Sequence, residues 1–198
     1  MARTARSARR YTDRGGSDSS RAEKEPPPAE PADPEERARA LCLRLLTGTP
    51  RTRKQLADAM RRREIPEEVA EHVLERFQDV GLIDDEAFAN AWVESRHRGR
   101  GLARRALAQE LRTRGVDNEL IGRAVEQLDS EQEEQAARAL VDRRLGATRG
   151  LERDKRIRRL AGMLARKGYS EGVALRVVRR ALEEEGEEPE FLEPFFGE

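Results

Sequence analysis

One cysteine and two histidines are the whole supply of thiol and imidazole side chains in this sequence of 198 residues. Cys42 alone cannot close an internal disulfide, which fits a reducing cytosol. It sits beside Leu41 and Leu43 in a helical run, so it reads as buried filler and not as a reactive thiol. His72 and His97 lie far apart with no second ligand at metal spacing, so neither a metal nor another cofactor is expected. There is no Gly-x-x-x-x-Gly-Lys-Ser/Thr loop and no Ser/His/Asp set in a recognisable motif, so the chain does not read as an enzyme. The pair Asp84-Asp85 could suggest a metal site, but helix capping explains it better. No apolar run approaches the ~20 residues that span a bilayer. The Arg-rich start has no apolar segment behind it, as a secretory signal requires. A cytoplasmic protein without a membrane partner is the expectation. Apolar residues make up 36% and charged residues 39%, too polar a mix for one large core but suited to a stack of small helical units.

The formal net charge of zero hides a sorting of charge along the chain. Arg51 to Arg63 holds six basic residues against Asp58, and Glu64 to Asn90 holds nine acids against Arg76. Arg96 to Arg114 holds seven arginines against Glu110, and Arg143 to Lys167 ten basic residues against Glu152 and Asp154. From Glu183 onward there are eight acids and no base. A sum of zero therefore leaves room for a strongly positive groove.

The ordering principle is a helix, a tight turn and a second helix, present three times. Leu56, Leu107 and Leu160 are one position, and Met60, Leu111 and Leu164 another. The turns read Arg63-Glu64-Ile65-Pro66, Arg114-Gly115-Val116-Asp117 and Lys167-Gly168-Tyr169-Ser170. After them come Val69/Leu120/Val173, Ala70/Ile121/Ala174 and Val73/Ala124/Val177. Steps of about fifty residues between copies indicate a tandem array of one supersecondary unit. Gly115 reads as a left-handed helix cap. Glu64 departs from the glycine of the other two turns and puts the first turn's geometry in question.

Each copy also carries a leading helix. Ala38, Leu41, Cys42, Leu45 and Leu46 form the buried face of the first; Phe88 and Trp92, four apart, face one way in the second and read as core; Ala136, Ala139, Leu140 and Val141 mark the third. The expected fold is all-α, three tandem three-helix repeats in an elongated, curved array. The boundaries are a basic, Pro-containing tail over 1–33, repeats over 34–83, 84–129 and 130–185, and an acidic tail over 186–198. That acidic tail mixes its carboxylates with Phe191, Leu192, Phe195 and Phe196, so it reads either as a phosphate mimic that folds back on basic helices or as a solubilising tail.

The stretch Gly81-Leu-Ile-Asp-Asp-Glu-Ala-Phe-Ala-Asn-Ala-Trp-Val-Glu-Ser-Arg96, with Gly101 and then Gln109-Glu-Leu-Arg-Thr-Arg-Gly-Val116, resembles the central signature of the RecX regulatory family, over roughly Pro34 to Glu185. The resemblance implies a regulator that binds the RecA recombinase, free or as its filament, lies along the filament groove, and restrains recombinase and co-protease activity. Contact with single-stranded DNA would be indirect or weak, and the chain a monomer. Sequence-specific reading of DNA is a poor rival. The helix after each turn is acidic, with Glu67, Glu68, Glu71 and Glu75 in the first copy and Glu119 and Glu126 in the second. The basic helices before the turns suit phosphate contact without base reading. The candidate filament- or DNA-binding residues are Arg98, Arg100, Arg104, Arg105, Arg112 and Arg114 in repeat two, and Arg153, Lys155, Arg156, Arg158 and Arg159 in repeat three. The competing readings are a non-specific nucleic-acid-binding helical protein without a recombinase partner, and a helical scaffold.

Overall fold

The computed structural model describes residues 33–186, where nine α-helices, one 3-10 turn and no strand are found. The two expected tails, 1–33 and 186–198, lie outside the described residues except for Asp33 and Gly186. Repeat one is α1 (Pro34–Gly48), α2 (Arg53–Arg61) and α3 (Glu67–Asp79). Repeat two is α4 (Asp85–Arg100), α5 (Arg104–Thr113) and α6 (Asn118–Glu126). Repeat three is α7 (Ser130–Leu145), a 3-10 turn over Gly146–Thr148, α8 (Arg153–Arg166) and α9 (Glu171–Glu184).

Side-chain caps set most of the helix starts. Asp33, Asp84, Asp117, Asp129 and Ser170 each accept a backbone N–H from the first turn that follows. Thr52 and Gln55 form a reciprocal capping box at α2. Each such cap contributes ~1 kcal/mol.

Within every repeat the third helix lies across the first two and closes a separate core. The leading helices bury Ala38 and Cys42, Ala89 and Val93, and Ala137 and Val141. The middle helices bury Leu56 and Met60, Leu107 and Leu111, and Leu160 and Leu164. The expected stripe on α4 is therefore one position off. Phe88 and Trp92 are only half-buried and pack against the core from its edge, while small Ala89 and Val93 point inward. A ring at the seat of Ala89 or Val93 would hold α4 away from α6. The same correction holds on α7, where Ala139 is exposed, Ala136 and Leu140 are half-buried, and Ala137 is fully buried. Cys42 is buried with its Sγ 3.9 Å from Met60 Sδ, and burial pushes the thiol up to about 11.

The three turns share one geometry. The N–H groups of Ile65, Val116 and Tyr169 each donate 3.2 Å to the carbonyls of Met60, Leu111 and Leu164. Gly115 and Gly168 stand at φ 77° and 91°, and Glu64 holds the same left-handed conformation at φ 56°. What differs is the neighbour. A Cβ on Gly115 would stand 2.5 Å from Lys54 Cβ, and one on Gly168 2.6 Å from the Ala106 backbone nitrogen. Each of these turns is pressed onto the start of the preceding repeat's middle helix. Arg114 O accepts from Thr52 Oγ1 at 2.7 Å, and Lys167 O accepts from Ala103 N–H at 2.9 Å. A second tie runs beside it. Arg53 N–H donates to Asp85 Oδ1 at 2.9 Å, and Arg104 N–H to Glu133 Oε1 at 2.9 Å. So Asp84 caps its own helix, whereas Asp85 caps α2 of the repeat before it, and burial raises its carboxyl above the ordinary range.

Among the described residues no repeat precedes repeat one, so its turn needs the left-handed backbone but not the bare Cα. Glu64 then carries conformational strain with no close contact that requires it, and among the described residues it forms no ion pair. Glu64→Gly is expected to stabilise the chain by about 1 kcal/mol, the left-handed penalty less the extra entropy of glycine in the unfolded chain. The urea unfolding midpoint should rise; a midpoint that stays or falls would contradict the assignment.

Candidate nucleic-acid interface

Basic residues gather where the leading helices of repeats two and three end, a position the helix dipole favours. The last turn of α4 carries His97, Arg98 and Arg100, and that of α7 carries Arg143 and Arg144. Because the repeats share register, Arg96 and Arg144 occupy one position on successive leading helices, and Arg114 and Lys167 one position in successive turns. Each junction between repeats therefore places an arginine from a leading helix beside a base from the next turn.

At the first junction Arg96 and Arg114 lie over Trp92, their guanidinium carbons 4.1 and 3.6 Å from the ring centroid. Burial pulls the Arg114 guanidinium below its ordinary value; Glu110 opposes this, and the nearby Arg96 and Arg100 add to it. Trp92 Nε1 donates to Glu110 Oε2 at 2.8 Å.

Beside the second junction, walled by α7, the 3-10 turn and α8 of repeat three, a cavity of about 420 Å³ is lined by Arg143, Arg144, Arg159, Arg166 and Lys167, with no acid among its described lining. A smaller cavity of about 330 Å³ shares Arg143 with it and extends to His97 and Arg98. Among the described residues Arg143, Arg144, Arg159 and Arg166 form no ion pair. Lys167 Nζ donates to Arg100 O at 2.9 Å, and Tyr169 Oη to Gly101 O at 3.1 Å, which ties the third turn to the end of α4.

The candidates from the sequence divide on this geometry. Arg98 and Arg159 line the second-junction cavities, and exposed Arg100 adjoins them. Arg98 also pairs with Glu94 at 2.9 Å, an exposed pair worth ~0–1 kcal/mol and readily given up. Arg114 belongs to the first junction. Arg105, Lys155 and Arg158 are exposed but line neither of these cavities, and Arg112 is exposed with its Nε 3.3 Å from Asn118 Oδ1. Arg104 is half-buried and held by both oxygens of Glu133, so it ties repeat two to repeat three. Arg153 is half-buried, its Nε enclosed without an acceptor.

Arg156 does not belong to a binding face at all. It is 2% exposed, donating from Nε to Thr148 Oγ1 at 3.0 Å and from a terminal nitrogen to Glu185 Oε2 at 2.5 Å. It holds the register of Thr52 and Ala103, which the next repeat covers. Among the described residues no repeat follows, and Thr148 and Glu185 lie against it. Its hydrogen bond, then that of Arg149, holds the Glu185 carboxyl below its ordinary value.

The residues missed by sequence reasoning are Arg96, Arg143, Arg144, Arg166 and Lys167. The dense basic run from Arg143 to Lys167 was their signal, but only folding shows which of its members converge.

Among the described residues no group of His, Cys, Asp and Glu is placed to hold a metal ion, and no helix is long and apolar enough to cross a membrane. Family models match all three repeats: the first three-helix domain of RecX over 38–77, the second over 84–125 and the third over 131–178. The chain is 74% identical over 180 residues to "Regulatory protein RecX" of Streptomyces lividans, covering 91% of this chain and 94% of that one. It is 62% identical to the protein of the same name in Thermobifida fusca, covering 85% and 92%. The crystal structure of RecX from Lactobacillus salivarius shares the fold at a TM-score of 0.71 and 18% identity, over 76% of this chain and 97% of that one. A second crystal structure, of regulatory protein RecX, superposes at a TM-score of 0.67 with 25% identity, over 74% of this chain and 72% of that one. With a model match in every repeat and relatives this similar along most of its length, the chain belongs to the RecX regulatory protein family.

Proposed function

We propose that this protein binds the RecA recombinase, free and as its filament on single-stranded DNA, and restrains recombinase and co-protease activity in DNA repair and the SOS response. It acts as a cytoplasmic monomer, by binding and without catalysis. Family membership supports the partner. The observation that carries the physical side is the convergence of Arg143, Arg144, Arg159, Arg166 and Lys167 on one cavity, in a chain of zero net charge. Five cations with no acid beside them recognise a row of phosphates or an acidic protein surface, and read no base sequence. The acidic second faces of the repeats meet basic protein surface or solvent.

The same cavity also favours a second reading, direct and non-specific binding of nucleic acid without a recombinase partner. One titration separates the two: equal amounts of recombinase filament, bare single-stranded DNA and free recombinase, at moderate salt. The filament should bind tightest, and binding should slow its strand exchange. Bare DNA bound as tightly as filament would support the second reading, and binding to none of the three would leave a scaffold.

A further inference from the structure

The groove at the first junction differs from its counterpart at the second. It is larger, about 850 Å³, and its walls are mainly apolar, with Leu46, Pro50, Leu82, Phe88 and Trp92 among them. Where α7 has Ala136 and Leu140, α4 has Phe88 and Trp92, stacked 5.7 Å apart at 17°. Leu82 remains 48% exposed. Three cations, Arg51, Arg96 and Arg114, stand among these walls against one acid, Asp84, which accepts the Ala87 N–H, and Arg96 also faces Glu110 at 3.8 Å. The Arg51 Nε is enclosed and has no acceptor. A donor enclosed without a partner costs ~1–3 kcal/mol, so an incoming carboxylate gains from meeting it.

These walls call for a ligand with both apolar bulk and negative charge. A nucleobase fits poorly, because two guanidinium groups already lie over the Trp92 ring and its N–H is taken by Glu110. A peptide carrying phenylalanines and carboxylates fits well. The chain contains one. Glu187-Glu-Pro-Glu-Phe-Leu-Glu-Pro-Phe-Phe-Gly-Glu198 has four large apolar side chains, five acids and no base.

Reach permits it. The segment leaves the last repeat at Gly186. Glu184 is tied to Arg138 at 2.6 Å, and the Leu140 side chain, two residues on, lies against Gly101. From Gly101 back along α4 to Trp92 is ~14 Å. That is the last leg of a path that also passes the Glu184–Arg138 pair and the ~10 Å width of α7, and twelve extended residues span ~40 Å.

We propose that Glu187–Glu198 docks in the first-junction groove of its own molecule, phenylalanines against Leu82 and Phe88, carboxylates on Arg51, Arg96 and Arg114. Docked there, it masks the first-junction bases until a partner displaces it, while the second-junction cavity stays open. The inference goes beyond the recombinase reading, and its test needs no recombinase.

Trp92 is the single tryptophan, so its fluorescence reports on this groove alone. Acrylamide quenching is compared for the full chain and for a chain ending at Gly186, over a dilution series. The full chain should show a blue-shifted, protected Trp92 at every concentration, and truncation should remove the protection. Synthetic peptide Glu187–Glu198 added in excess to the truncated chain should restore it. Ala91→Glu, at an exposed position on the groove wall, should abolish protection in the full chain without loss of helicity. Equal quenching with and without the segment would overturn the proposal. Protection lost on dilution of the full chain would overturn it in favour of a second copy. Protection of the truncated chain by oligothymidylate and not by the peptide would overturn it in favour of nucleic acid.

Discussion

Gly168→Ala is expected to destabilise the chain by about 3 kcal/mol, the sum of a left-handed backbone penalty and overpacking. The new Cβ would stand 2.6 Å from both the Ala106 Cβ and the Ala106 backbone nitrogen. A backbone atom at the start of α5 cannot swing aside, so the turn must lift off. The Lys167 carbonyl then loses Ala103 N–H, and Tyr169 Oη loses Gly101 O. Gly150→Ala is the control. Gly150 has φ 83° but nothing within 4 Å of its added carbon, so it reports the backbone penalty alone, about 1 kcal/mol. Gly115→Ala should cost about as much as Gly168→Ala, since its added carbon would stand 2.5 Å from the Lys54 Cβ, which the α2 backbone fixes. Urea midpoints for the three variants check the order. Equal losses at Gly168 and Gly150 would show that the turn does not bear on repeat two.

The array was legible because its period is carried by residues that one repeat suffices to explain. Leu107 and Leu111, Gly115 and Asp117 announce a helix, a turn and a capped helix from local spacing alone. What stayed hidden was whatever depends on the next repeat. Asp85 looks like a cap for its own helix, and only the junction reveals that it caps α2. Glu64 looks like a broken turn, yet it holds the same left-handed conformation, and among the described residues no preceding repeat presses on it. Arg156 sits in a basic run and looks solvated, but its register marks a position the following repeat covers in the other two copies. Phe88 and Trp92 looked like core because of their size, whereas close helix packing demanded the smaller Ala89 and Val93. The candidate site followed the same rule. Charge density pointed to Arg143 to Lys167, but the walls of the cavity come from α7 and α8 together, and no one-helix pattern picks out Arg143, Arg144, Arg159 and Arg166.

Neutralising Arg143 and Arg144 together as Gln is expected to reduce the salt dependence of single-stranded DNA or filament binding by about 1.4 in slope, two phosphate contacts at ~0.7 each. Both side chains are exposed and unpaired among the described residues, so their removal forfeits only a small interaction with the end of the α7 dipole. The fold should survive with its helicity intact. Arg104 would be the wrong choice for this purpose, since its loss also breaks the tie to Glu133 that joins two repeats. The matched control is Arg158→Gln with Arg179→Gln, equal in charge removed and equally exposed, but outside the cavity. If general electrostatic attraction governs binding, the two double variants weaken it alike. If the cavity governs it, the Arg143 and Arg144 variant alone loses the slope and with it the restraint on strand exchange. Measuring binding across a salt series, with strand exchange at one fixed salt, distinguishes these cases. Identical slopes for both variants would remove the second-junction cavity from the interface.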